Sequence, residues 1–273
     1  MNDKSITEEK MADSFEKLLC DKNGISEFPS FHSIFREIRC QQGIADFIAI
    51  ENNVLKNEIW KLPERINKIS NISVFHIISL LKPKAPRTET FLTRNTGLSL
   101  KTVKRILKQL EYQQIIKRLD SGGIIVGPKW KSPNFDLWAF ELKLNNWKRA
   151  LFQASQYRTF ATNITVVFPT ERKKTIIENL NKFRKMKIGV MLFDISKNNY
   201  EIILKPNKIK STSKRFYFHT IGTLMTMKDL CSLNVAESKK GLYKRIKGIT
   251  IKNFNKILRL FIFNLKKKLF SLL

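Results

Sequence analysis

The run FDLWAFELK at 135–143 constrains the fold of this chain more than any other stretch. It is apolar almost throughout and closes on a carboxylate two residues from an ammonium, Glu141 and Lys143. On a β-strand, residues i and i+2 point to the same face. Glu141 and Lys143 then project together from one side, while Phe140 and Leu142 pack on the other. Burying opposite charges at a strand end costs on the order of several kcal/mol unless each has a partner or a task. A carboxylate that holds a divalent cation, beside a lysine that steadies an attacking water or developing phosphate charge, is one such task.

The same spacing recurs at Glu8-Glu9-Lys10 and Glu237-Ser238-Lys239, but in polar surroundings. Only Glu141-Leu142-Lys143 closes a strand-like apolar segment. An upstream acid is supplied by GIADFIAI at 43–50, where Asp46 opens a strand of Phe, Ile and Ala after Gly43. Before it, FREIR at 35–39 places Glu37 in a second β-prone run. Downstream, 147–157 reads as a helix on which Gln153 and Tyr157 share one face at i, i+4. The next strand, 163–168, is stopped by Pro169.

With Glu37, Asp46, Glu141-x-Lys143 and Gln153-x-x-x-Tyr157 in that order, the chain resembles the PD-(D/E)xK phosphodiesterases. This restriction-endonuclease-like resemblance covers residues 10–60 and 130–205. It implies an α/β fold, a mixed sheet flanked by helices. It also implies catalytic positions at Asp46, Glu141, Lys143 and Glu37, with Gln153 and Tyr157 matching the subset that carries a Q-x-x-x-Y helix. Asp46, Glu141 and the backbone carbonyl of Leu142 would hold Mg²⁺, with Mn²⁺ as an alternative. Ala45 stands where the motif has proline, and 95 residues separate Asp46 from Glu141, so an inserted element is required.

The intervening sequence reads as a winged helix-turn-helix. An apolar helix at 73–81 ends before Pro83 and Pro86. Thr88 can cap a short second helix, Gly97 permits a tight turn, and Ser99 can cap a third helix through Leu110. On that third helix Leu100, Val103, Ile106, Leu107 and Leu110 form an apolar stripe. Lys101, Lys104, Arg105 and Lys108 take the polar side and are the expected nucleic-acid contacts. Residues 115–119 and 124–127, around the glycine turn at 120–123, make the wing. The order resembles the winged-helix family, whose third helix enters the major groove. The expected division is therefore 1–62 and 131–205 for the two parts of the nuclease-like domain, 63–130 for the insert, and 206–273 for a basic C-terminal extension.

Charge agrees with a polyanionic partner. Lys and Arg number 51 against 23 Asp and Glu, a formal net charge of +28. An AT-rich coding bias favours lysine but does not by itself double the basic over the acidic count. Duplex DNA carries one charge per about 1.7 Å, so such a chain gains by counterion release. Lys148 and Arg149, at the start of the Q-x-x-x-Y helix, are further candidate phosphate contacts, as is Arg158.

Other residues read more plainly. Cys20, Cys40 and Cys231 lack CxxC spacing, which argues against a disulfide framework or zinc site and for a reducing, cytoplasmic setting. No secretory leader is expected at the N-terminus, and no apolar stretch approaches the ~20 residues that span a bilayer. His32, His76 and His219 have no mutual spacing, and His76 suits a core position. Met11, Phe15, Leu18 and Leu19 form the inner face of an N-terminal helix on which Glu16 is a weaker site candidate. Asp136 is expected to be structural. The segment 257–270 reads as a basic amphipathic helix for packing, nucleic acid or lipid.

The function expected is metal-dependent hydrolysis of DNA phosphodiester bonds, in a homodimer or a larger defence or transposition complex. The setting rests on analogy. The alternatives are a non-catalytic DNA-binding regulator and an assembly subunit on a degenerate nuclease fold.

Overall fold

The computed structural model describes residues 7–21, 25–40, 43–51, 72–128, 130, 132–133, 135–224 and 227. The chain divides into two units, Met1–Leu230 and Cys231–Leu273, and every described residue lies in the first. The segment 257–270, Cys231 and the junction expected at 62–63 lie outside the described residues.

Helix α1 (Glu8–Cys20) begins where the Thr7 hydroxyl accepts the Lys10 N–H, and acids in its first turn complement the helix dipole. Strands β1 (Phe31–Cys40) and β2 (Gly43–Glu51) form an antiparallel hairpin. Then come α2 (Ile72–Leu80), α3 (Glu89–Thr96), α4 (Leu100–Tyr112), and the short antiparallel pair β3 (Ile116–Arg118) and β4 (Ile124–Val126). The chain returns to the main sheet in β5 (Leu137–Leu142) and continues through α5 (Trp147–Gln156), a 3-10 turn at Tyr157–Thr159, and β6 (Asn163–Pro169). The last elements are α6 (Lys173–Lys185), β7 (Gly189–Asp194), β8 (Asn199–Leu204) and α7 (Lys214–Leu224).

The six-stranded sheet runs β1-β2-β5-β6-β7-β8. Its centre, β5-β6-β7, is parallel and its flanks are antiparallel, so the sheet is mixed. The architecture is α/β. Every residue of β5, β6 and all but the last of β7 is buried or nearly so, as expected for strands covered on both faces.

The two faces differ in chemistry. On the α1 side the core is aromatic: Phe15 meets Phe47, Phe140 and Phe193 edge-on at 5.6, 5.5 and 5.8 Å. On the other side Ala139, Ile164, Val166 and Leu192 receive Ala150 and Ala154 of α5 and Phe183 of α6. The two alanines are the side chains that let α5 lie close to the sheet, and this closeness brings Tyr157 down to the strand ends.

The described residues between β2 and β5 hold three helices and an antiparallel strand pair. Thr88 and Ser99 accept the N–H groups of Phe91 and Thr102, capping α3 and α4, and Gly97 ends α3 at φ 70°. Val103, Ile106, Leu107 and Leu110 are buried, but Leu100 is 46% exposed. Helical side chains lean toward the N-terminus, so at the first position Leu100 reaches past the helix end instead of down onto the core.

Nor does the fold pause at residue 206. Lys208 pairs with the buried carboxylate of Asp136 at 2.7 Å, and the Ile209 N–H donates to the Thr162 carbonyl. The Tyr217 hydroxyl bonds both the N–H and the carbonyl of Phe135, at 2.9 and 2.8 Å. Helix α7 packs against α2 and closes the core with Phe218, Ile221 and Leu224. A rise in lysine density at this point changes the surface without ending the packing. Asp136 is structural, as expected. His76 is half-buried beside Arg215, and burial, then that guanidinium, lower its pKa. Among the described residues no helix is long and apolar enough to cross a membrane.

Candidate active site

Strand register assembles the site. β2 and β5 pair with Phe47 across from Phe140 and Ile48 across from Ala139, so the next step sets Asp46 across from Glu141. On the other edge of β2, Arg36 pairs with Phe47 and Ile38 with Ala45, which sets Glu37 across from Asp46. Three acids thus fall in one row over three adjacent strands. The Leu142 N–H donates to Asp46 Oδ2 at 2.7 Å, tying the two strands together at the level of the row.

Glu37 breaks the row. Its backbone is left-handed, φ 54°, and its side chain is 73% exposed, 3.8 Å from Arg36 Nε. A non-glycine residue held at positive φ stores strain of about 1 kcal/mol or more. Glu37 therefore stays near the pair electrostatically without joining it in the interior.

Glu141 is fully buried. Its Oε2 is bonded by the Tyr157 hydroxyl, which also bonds the Ile44 carbonyl at 2.8 Å. Its Oε1 is buried without a hydrogen bond and lies 3.3 Å from Lys143 Nζ in ion-pair contact. Lys143 also meets Glu8 of α1 at 3.3 Å. The structure thus brings together Asp46, Glu141, Lys143 and Tyr157, and adds Glu8. Sequence reasoning passes over Glu8 because Glu8-Glu9-Lys10 stands in polar surroundings, outside any strand-like apolar segment. Glu16, the α1 acid favoured from sequence, instead bonds Arg36 at 3.3 Å together with Asp13.

The electrostatics are those of two acids crowding one cation. Burial, then the neighbouring Asp46, push Glu141 up to about 7, against the lowering effect of Tyr157 and Lys143. Burial also raises Asp46, with Leu142 N–H and Lys143 opposing it and Glu8 and Glu37 adding to it. Burial alone would lower Lys143, but Glu141, Glu8 and Asp46 outweigh it and hold the ammonium charged. Tyr157 is raised by burial and by Glu141, so its phenol keeps its proton.

Gln153 is half-buried on α5 one turn before Tyr157, its Oε1 buried without a partner among the described residues. Lys148 and Arg149 are exposed on the same helix. Arg158 donates to the Met186 carbonyl at 3.3 Å, a structural bond. Lys101, Lys104, Arg105 and Lys108 are arrayed along α4, with Lys104 3.9 Å from Glu89. They form a separate basic face, belonging to the segment between β2 and β5.

Comparison with family models, with curated proteins and with solved structures gives no match. The chemistry is therefore that of the residues themselves.

Among the described residues no cluster of three or more His, Cys, Asp or Glu is arranged to hold a metal. Mg²⁺, however, keeps several waters and is held by one or two carboxylates. Asp46 and Glu141 meet that smaller requirement. An acceptor oxygen buried without a hydrogen-bond donor, Glu141 Oε1, is what a hard cation would satisfy. Two mutually destabilising carboxylates gain from the same charge. The residues present fit a divalent cation.

Proposed function

We propose that this chain is a metal-dependent DNA endonuclease of the PD-(D/E)xK, restriction-endonuclease-like kind, with an inserted winged helix-turn-helix that positions the DNA. The observation that carries the reading is the convergence of Asp46, Glu141, Lys143 and Tyr157 where β2 meets the end of β5, with Glu141 fully buried. Placing two acids and a lysine there for stability alone would be costly, since apolar residues of like volume serve a core as well or better.

Asp46, Glu141 and the backbone carbonyl of Leu142 would hold Mg²⁺ or Mn²⁺. When bound, the cation supplies Lewis-acid polarisation of a phosphate oxygen and a lowered pKa for water. Lys143 keeps its proton on Nζ, so its part is to orient a nucleophilic water through N–H donation and to offset phosphate charge in the transition state. It is a poor general base while three carboxylates raise its pKa. Tyr157 fixes one oxygen of Glu141, and the other lies 3.3 Å from Lys143 Nζ. Glu8 limits the swing of Lys143, and a displacement of about 1 Å at such a group costs on the order of a hundredfold in rate.

The segment 72–128 supports the substrate class. Its third helix, α4, buries four apolar residues and carries Lys101, Lys104, Arg105 and Lys108 on its polar side, followed by a two-stranded ribbon, as a winged helix does. The net charge of +28 supports a polyanion as the partner.

The test is cleavage of supercoiled, linear and single-stranded DNA with Mg²⁺, Mn²⁺ or EDTA, wild type against Lys143→Ala. Metal-dependent cutting that disappears in the variant while DNA binding persists is the expected result. Equal background from both proteins would overturn the enzymatic reading and leave a DNA-binding subunit.

A further inference from the structure

Helix α5 leads into Tyr157, which bonds Glu141, and its exposed face carries a different chemistry. Phe152 is 65% exposed, one of six large apolar side chains so placed among the described residues. Isolated exposed apolar residues are ordinary on protein surfaces, so exposure alone decides nothing. Its company does. Residues at i−4, i−3 and i+4 surround a helical side chain, and here these are Lys148, Arg149 and Gln156. Lys148 and Arg149 are exposed, and Arg149 makes no ion pair among the described residues.

No acid occurs between Glu141 and Glu171, a stretch that carries Lys143, Lys148, Arg149 and Arg158. Neither α5 nor the segments that join it to β5 and β6 contribute a negative charge of their own. Phe152 stands five residues before the Tyr157 that bonds Glu141, about 140° round the helix from it, so its ring sits on the solvent side of the element that leads into the site. Ile44, whose carbonyl bonds Tyr157, is itself 49% exposed on β2. Exposed apolar side chains thus occur on both elements that hold Tyr157 in place, and the one on α5 is flanked by cations.

Paired duplex presents phosphates and groove edges, and an exposed ring finds little there to cover it. An unpaired base presents a π-face, and aromatic residues within a cationic groove are the general means of holding one. We propose that Phe152, with Lys148 and Arg149 beside it, is a stacking platform for an unpaired nucleobase of the strand entering the site. The substrate of the proposed nuclease is then DNA with a single-stranded element next to the scissile phosphate, such as an overhang, flap or extruded base. The proposal rests on the reading of the site as a DNA nuclease.

The experiment uses the full chain in EDTA, so that binding is read without cutting. Dissociation constants are measured for a blunt duplex and for the same duplex with a short overhang carrying 2-aminopurine, for wild type, Phe152→Ala and Phe152→Trp. Phe152→Ala is expected to weaken overhang binding about 5- to 150-fold and blunt-duplex binding by no more than about twofold. Phe152→Trp should retain overhang binding. Quenching of the 2-aminopurine by wild type should be lost in the alanine variant. Equal effects on both DNAs, or none, overturn the platform while leaving the nuclease reading standing. Failure of wild type to bind either DNA removes both.

Discussion

Asp46 accepts a hydrogen bond from the backbone N–H of Leu142 at 2.7 Å, across 96 residues of sequence. The bond joins β2 to the middle of the Glu141-x-Lys143 step, so one carboxylate both braces the strand and faces its partner acid. Its two duties separate by mutation. Asp46→Asn keeps an acceptor for Leu142 and removes the charge that raises Glu141. Asp46→Ala removes both and leaves a buried N–H unpaired, at a cost of about 1–3 kcal/mol. Both variants should lose cleavage. Only the alanine should lower the denaturation midpoint, and an asparagine variant as destabilised as the alanine would show that the charge itself holds the strands.

Glu141 makes stability depend on pH. Its pKa rises from 4.5 to about 7 on folding, so the folded chain binds more protons than the unfolded one between those values. Stability should therefore be greatest in acid, fall as pH rises from about 4.5 to about 7, and level off above, by a total on the order of 3 kcal/mol. Asp46, also raised, adds a loss of the same sign. Glu141→Gln should flatten the curve and raise the melting temperature at pH 8 while cleavage is lost. Mg²⁺ should raise the wild-type melting temperature at pH 8 through binding to the folded form alone. A Glu141→Gln curve that falls as steeply as wild type would place the titration elsewhere.

Much of this site could be read in the chain because strand periodicity carries it. The run at 135–143 and the acid at 46 sit on strands with strong apolar patterns, and their register follows from side-chain alternation. Capping residues Thr88 and Ser99 stand where helices start, and a glycine ends α3, because those requirements are local. What escaped was set by packing between distant elements. Glu8 meets Lys143 only because α1 crosses the aromatic face through Phe15. Glu37 looks equivalent to Asp46 in pattern, but its left-handed backbone turns it to solvent. Lysine content from 206 onward suggests a boundary, whereas Tyr217 and Phe218 bind the chain to the core.

Tyr157 should prove structural and functional at once. Its hydroxyl lies between Glu141 and the Ile44 carbonyl, both acceptors, and it stabilises the ionised carboxylate. Tyr157→Phe keeps the ring and removes the one phenolic proton that Glu141 and the Ile44 carbonyl share, a loss of about 1–3 kcal/mol. It should also move the midpoint of the pH-dependent stability loss upward, since a donor that favours the charged form is gone. An unchanged midpoint in the phenylalanine variant would mean that the hydroxyl serves Ile44 alone.

Helix α4 should set the salt dependence of DNA binding. Lys104 and Arg105 are exposed, off the stripe formed by the buried Val103, Ile106 and Leu107. Each cation that no longer neutralises a phosphate should lower the slope of log affinity against log salt by about 1. Lys104→Ala with Arg105→Ala should therefore reduce that slope by about 2 when both residues meet phosphates. Melting temperature should scarcely move, because exposed substitutions usually change stability by no more than about 0.5 kcal/mol. Cutting at saturating protein should persist, since Asp46, Glu141 and Lys143 are untouched. If the slope is unchanged and affinity falls equally at all salt concentrations, α4 does not neutralise the phosphates, and the basic face of α5 becomes the principal DNA-binding surface.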